Sequence, residues 1–441
     1  MRTTWHAKLL FVLAAAWLAF GPSAAAQSAV PDLTQGGKPD DTHDWTLGPT
    51  GARGWIAAQQ LTTLDARQIL VTAVEKGSPA DGVLEVGDVI LGLGDKPFTS
   101  DARRVLGKAI TRAEAGEGRG LLALLRWRKG KRGARRCTSR CSAATRRRRR
   151  KTARNPSASS KAAKYLGQHG LGEGLVAEVN ALALLATGKP EYLDEVKSLA
   201  HTLGDPKLKL DLREGMCAWD WGATNLFLSQ YLLATGDKYV LPAIREYSHA
   251  LSQGQSQVGL WGHGMVVPGS EWGLGGYGAV NQVGLSCWLS LILAQQCGVD
   301  DDVVTQAVAR SQRFFAFYVG KGSIPYGDHA PFHFLHDNNG KNAMAALAFD
   351  WLDEAPATRF FASMSAAAYD ERELGHTGNY FGYLWGPLGV ARAGEQALAA
   401  HLAEQRWFYD LARRWDGGFT YQGAPAPTIP TRAGTPPACS C

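Results

Sequence analysis

From about residue 173 to residue 420 the apolar positions recur at helical spacing, whereas before residue 130 they alternate in short runs. In the later part ALLATGKPEYLDEVKSLAHTL (183–203) and YLLATGDKYVLPAIREYSHAL (231–251) follow one plan. Each has an apolar helix, an Ala-Thr-Gly turn and an amphipathic helix, with Gly188 and Gly236 at equivalent places. LSLILAQQCGVDDDVVTQAVARSQRFFAF repeats the plan, and two further stretches, from Asn342 and from Trp385, fit it as fourth and fifth units. Paired helices at such a period predict an α-solenoid or a closed α/α toroid. Long loops rich in glycine and aromatics favour the toroid, and both glycines are expected to end helices with positive φ.

In the earlier part ILVTAV (69–74) and DVILGL (88–93) read as strands around Gly-Ser-Pro-Ala and Gly87-Asp88 turns. Ser100 and Asp101 can cap the helix DARRVLGKAITRAE, which places Val105, Leu106, Ala109 and Ile110 on one face. GLLALLRWRKG then reads as a further strand. The order predicts a small α+β barrel with one conspicuous helix, in which Asp88 closes a turn.

Two resemblances follow from these residues. GSPADG followed by VGDVILGLGDKPF resembles the bacterial PDZ pattern over residues 44–131, and LGPTGARGWI (47–56) sits where that family has its carboxylate-binding loop. This resemblance implies capture of peptide or protein C-termini by strand addition. Gly51, Gly54, Trp55 and Ile56 would lie on one side of the groove, and Val105 and Ala109 on the other. The helical hairpins resemble six-hairpin glycosidases and terpenoid-cyclase-like toroids, on architecture and without a diagnostic motif. The expected fold class is therefore multidomain: a small α+β PDZ-like barrel, then an all-α α/α toroid over residues 165–423.

The chain opens MRTTWHAKLLFVLAAAWLAFGPSAAAQS, with a basic start, a short apolar core and small residues before a cleavage point. Residues 1–26 thus read as a signal peptide of a secreted or periplasmic protein, with an uncleaved anchor as the alternative. No later apolar run reaches the length of a membrane span. Formal net charge is +7, yet residues 126–154 concentrate Lys and Arg without Asp or Glu, so the remainder is net acidic. From Arg128 to Lys164 there is no large apolar side chain, which predicts a PDZ-like domain lacking its last strand and an unstructured basic segment over 132–164. A self-repelling linker, a nucleic-acid arm and frame-shifted translation compete for this segment. Frame-shifted translation is preferred, and residues 424–441 read as a similarly interrupted tail. Export and the lack of interleaved aromatics argue against nucleic acid as a partner. The odd set of seven cysteines forms no disulfide framework, and Cys137 and Cys141 lack a second pair for zinc.

The toroid loops carry the candidate chemistry. Asp220, His263, His376 and Asp416 are candidate catalytic residues, from a wider set with Glu271, Asp328, His329, His333, His336 and Asp337. Opposed carboxylates across a funnel would suit glycoside cleavage, with Trp219, Trp221, Trp261 and Trp272 stacking sugars. The spacing of His329, His333, His336 and Asp337 could gather a metal, although loop hydrogen bonding accounts for it more simply. Asp220 equally reads as a cap of a helix from Trp221, and Asp337 as a turn residue. No cofactor or metal is expected. The preferred function is a PDZ protein carrying a toroid without proven activity; the alternative is a glycoside hydrolase or lyase. Same-phase loops should meet at one rim, with Asp220, His263, His333, His376 and Asp416 together.

Overall fold

The structure, a computed structural model, describes residues 30–40, 44–59, 61–115, 120–138, 158–267, 274, 278–375 and 379–421. The expected signal peptide, most of the basic segment, the tail, Glu271, Trp272 and His376 lie outside these residues.

The N-terminal part is an antiparallel sheet with one helix. Its strands are β1 (Asp44–Thr46), β2 (Ala52–Trp55), β3 (Ile69–Val74), β4 (Val89–Leu93), β5 (Lys96–Pro97), β6 (Leu121–Arg128) and β7 (Lys131–Thr138). They are ordered β1-β2-β3-β4-β6-β7, with β5 paired to β4. Helix α1 (Ala102–Glu114) starts where Asp101 accepts hydrogen bonds from the backbone N–H groups of Arg103 and Arg104, at 2.9 and 3.1 Å. It lays Ala102, Leu106, Ala109 and Ile110 against Leu47, Ile56, Ile69 and Ile90. Trp55, Val89, Leu91 and Leu125 pack with Leu33 in a second cluster. Asp88 stays in its turn, accepting from Glu85 N–H at 2.9 Å and pairing with Arg128 at 2.6 Å.

The sheet does not stop at Lys131, and the expectation of a missing last strand is corrected here. β7 pairs with β6 in unbroken register from Arg128↔Lys131 to Leu121↔Thr138. A ladder of backbone hydrogen bonds needs no large apolar side chain. The turn residues Lys129 and Gly130 have φ of 46° and 80°, the sign that a two-residue type I′ hairpin turn requires at both positions. Structure also resumes within the segment expected to be unstructured, with helix α2 (Ala158–His169).

The C-terminal part is helical and built of pairs. α3 (Gly174–Leu185), α5 (Cys217–Thr235), α7 (Asn281–Gln296), α9 (Lys341–Trp351) and α11 (Tyr380–Val390) form one layer, each packing on the next of the set. The intervening α4 (Leu193–Leu203), α6 (Leu241–Gln253), α8 (Asp302–Ala316), α10 (Ala355–Ala367) and α12 (Glu395–Ala412) lie outside them. Sequence explains the layering. α8 buries Val304, Ala307, Val308, Ser311 and Phe315, a single stripe at 3.6-residue spacing, and turns its polar face outward. α5, α7 and α9 are buried around most of their circumference, as inner helices must be.

Between the layers Trp288 stacks on Phe315 at 5.3 Å and Phe349 on Phe361 at 5.5 Å. Asn225, fully buried, ties α5 to α6 and α7 by donating to the Ser248 and Ser290 hydroxyls at 3.2 and 3.3 Å. As expected, Gly236 ends α5 with φ of 73° and donates to the Leu232 carbonyl, while Gly188, at 64°, lies in the turn after α3. Among the described residues no helix is long and apolar enough to cross a membrane.

The two parts share a core. Trp407, Phe408 and Leu411 of α12 and Tyr383 of α11 join the apolar cluster of the sheet domain. Gly107 of α1 allows this contact, because a Cβ there would lie 2.6 Å from the Trp407 carbonyl oxygen. Polar ties surround the contact. Arg413 reaches Glu114 at 2.8 Å, Thr111 donates to Asp410, and Trp415 Nε1 donates to Glu75 at 2.6 Å.

Candidate functional site: a cavity inside the inner helices

Every inner helix sends one face into a single cavity of about 500 Å³. On α3 the lining positions are Leu175, Glu178, Val179 and Leu182, spaced i, i+3, i+4 and i+7 along one stripe. α5 supplies Trp219, Ala223, Leu226 and Gln230; α7 supplies Gln282 and Ser286. α9 gives Met344, Leu347 and Trp351, and α11 gives Phe381, Leu384, Trp385 and Leu388. The lining is mainly apolar and aromatic, and the volume is that of a small-molecule site.

Within this lining the carboxyl of Glu178 is the notable group. It is 5% exposed, and one oxygen accepts from the buried Thr224 hydroxyl. Burial holds its pKa up at about 7; the Thr224 bond opposes this shift, and the negative charge of Asp220 adds to it. Gln282, 2% exposed, donates from Nε2 to Met344 Sδ at 3.1 Å. Glu178 Oε2 and Gln282 Oε1 are buried with no hydrogen-bond partner among the described residues, and so is the Trp385 indole nitrogen. At the margin Arg392 is paired with Asp350 at 2.9 Å.

Asp220 sits in the first turn of α5, whose cap is Met216; the helix thus begins earlier than expected and Asp220 does not cap it. It is exposed, but desolvation by its neighbours still raises its pKa. His263 Nδ1 accepts from Trp219 Nε1 at 2.8 Å, and Trp219 stacks on Phe381 at 5.9 Å. Through Trp219, His263 borders the cavity's aromatic wall. Asp416 forms a two-point ion pair with Arg414 and accepts from Gly418 N–H at 3.0 Å, closing a turn after α12.

His333 and His329 are exposed, and His336 bonds Glu371 at 2.8 Å. Asp337 is buried, bound to Asn342 N–H at 2.9 Å and to Arg372 at 3.2 Å, a turn role as expected. No group among the described residues could hold a metal ion. Of the residues expected at one rim, His263 is bound to Trp219, the neighbour of Asp220 in α5, and Asp416 is engaged in its own turn.

The residues expected to hold a peptide are engaged within the chain. β2 pairs with β1 on one edge, through Asp44↔Trp55, Trp45↔Gly54 and Thr46↔Arg53, and with β3 on the other. Trp45 of β1 is 2% exposed and lies under the Arg103 guanidinium of α1, 4.0 Å from its ring centre. Gly51 packs on Ser78, Trp55 donates from Nε1 to Asp40 at 3.0 Å, and Ile56 is fully buried. Along α1, Val105 is partly buried and Ala109 belongs to the core shared with α12. The edge of β2 where strand addition is expected from the sequence is paired with β1.

Sequence reasoning passed over Glu178 and Gln282. The available signal was a lone acid in GLVAEVNALALL and a Gln in an otherwise apolar helix start, both inside helices and not in the loops that drew attention.

A small antiparallel sheet domain docked on paired helices, with a cavity lined by the inner helices, is the class that fold and site define. Residues 157–436, well over half of the chain, match the family model described as a domain of unknown function, DUF6288, and the chain belongs to that family. No curated protein and no solved structure matches it.

Proposed function

We propose that the chain is an exported binding protein, in which an α/α toroid holds a small, largely apolar molecule in its central cavity. A PDZ-like module is docked against this toroid as a fixed element. The observation that carries this reading is the convergence of five inner helix faces, mostly apolar, on one cavity of about 500 Å³. The PDZ-like identity rests on the GSPADG and VGDVIL motifs together with the strand–helix order, and export rests on the N-terminal pattern. Pairing of β2 on both edges supports a packing role for the module in place of peptide capture.

Titration with the neutral fluorophore N-phenyl-1-naphthylamine tests the binding reading. Saturable binding at one site, abolished by filling the cavity with Ala223→Trp while the circular dichroism is unchanged, is the expected result. Binding that does not saturate, or that Ala223→Trp leaves intact, would count against it.

A second reading, a glycoside hydrolase or lyase, is favoured by one observation. Glu178, with a pKa near 7, has the protonation range of a general acid, and Asp220 is close enough to influence it. Asp220 nevertheless does not line the cavity. Release of reducing ends from a polysaccharide panel, lost in Glu178→Gln, would establish this reading in place of the first.

A further inference from the structure

We infer that the cavity's ligand is an apolar molecule carrying an amino group, received by Glu178 and Gln282; this rests on the binding reading above. Both side chains line the cavity and are more than nine-tenths buried. Each has one polar atom already satisfied: a Glu178 oxygen by Thr224, and Gln282 Nε2 by Met344. With Glu178 ionised, the two atoms left over, Glu178 Oε2 and Gln282 Oε1, are both acceptors without a partner among the described residues. A buried acceptor left unpaired is costly, so these two atoms call for a hydrogen-bond donor on the ligand.

A cationic donor suits this pair, because it would hold Glu178 ionised against the burial that favours its neutral form. Glu178 is the carboxylate in the lining, and the charge of Asp220 reinforces the negative potential around it. The cation of the lining, Arg392, is already neutralised by Asp350. Trp219 and Phe381, stacked with an interplanar angle of 23°, add electron-rich faces that favour an ammonium. The leucines of α3, α5, α9 and α11 would cover the rest of the molecule, and the Trp385 indole N–H would serve an acceptor on it.

The test is calorimetry on the full chain with a matched series: 4-phenylbutylamine, 4-phenylbutanol and 4-phenylbutyrate. The amine should bind at least tenfold more tightly than the alcohol, and the carboxylate should not bind. Glu178→Gln should weaken the amine at least tenfold and leave the alcohol within twofold; Gln282→Leu should weaken the amine in the same direction. Equal binding of amine and alcohol, tighter binding of the carboxylate, or an amine affinity untouched by Glu178→Gln would overturn the amine assignment and leave the binding reading standing. If none of the three binds and the naphthylamine probe also fails, both fall.

Discussion

Arg103 of α1 and Glu373, which follows α10, form a salt bridge between side chains only 1% and 2% exposed, joining the sheet domain to the helical domain. Glu373 also receives Arg104 at 3.0 Å, and the Arg103 guanidinium lies over Trp45. Removing Glu373 would leave the buried Arg103 without its carboxylate, while Arg104 keeps Asp101 and Asp370 at 3.6 and 3.7 Å. Glu373→Ala should therefore cost about 3–5 kcal/mol in urea unfolding. Arg103→Met combined with Glu373→Leu should recover most of that loss, since the desolvation cost of the pair disappears with both charges. Equal losses in the single and double variants would show that the bridge is not what joins the domains.

Peptide capture gives a second expectation. C-terminal peptides should show no saturable heat with the full chain at micromolar concentrations, because β1 already pairs along β2 and Trp45 fills the space beside α1. Micromolar binding that is lost when Trp55 or Ile56 is replaced would mean that β1 yields to an incoming strand.

A third expectation concerns the close approach of α1 and α12. Gly107→Ala puts a methyl group 2.6 Å from a backbone oxygen of Trp407, and backbone cannot give way as a side-chain end does. The loss should be about 1–3 kcal/mol, the range for overpacking. Gly215→Ala, where a Cβ meets nothing within 4 Å, is the control and should be near neutral.

Much of this architecture is legible in the sequence. The helical hairpins follow from periodicity, as the α8 stripe from Val304 to Phe315 shows, and the Asp101 cap follows from residue type. β7 was not legible, because its pairing is made by backbone groups and by the positive φ of Lys129 and Gly130, neither of which needs apolar patterning. Self-occupation of the β2 edge depends on a hairpin between β1 and β2, which a family motif does not encode. The cavity was missed for a geometric reason. Glu178 and Trp385 are far apart in the chain and share a space because alternate helices converge. Polar loop residues such as Asp416, which looked functional in sequence, spend their charge on local turns.

The last expectation combines two buried groups whose ionisation opposes one another. Glu178 has its pKa raised from 4.5 to about 7 by burial. The native state thus holds that proton more tightly than the unfolded chain, and its contribution to stability is present at low pH and is lost as pH rises from about 4.5 to 7. His401, 5% exposed and with neither ring nitrogen partnered among the described residues, has its pKa lowered from 6.5 to about 4 by burial and then by Arg372. Its contribution runs the other way, present above pH 6.5 and lost as pH falls towards 4. Each is worth on the order of 3 kcal/mol over its full range. Between about pH 4.5 and 6.5 they largely cancel, so the wild-type contribution of this pair is nearly flat. Single variants should unmask the opposite slopes. Glu178→Gln should give a protein whose stability relative to wild type climbs as pH rises from 4.5 to 7. His401→Gln should give one whose relative stability declines between pH 4 and 6.5. Difference curves from urea unfolding cancel the groups that both proteins share. Parallel curves for wild type and either variant would mean that the group concerned is not held in its buried, shifted state.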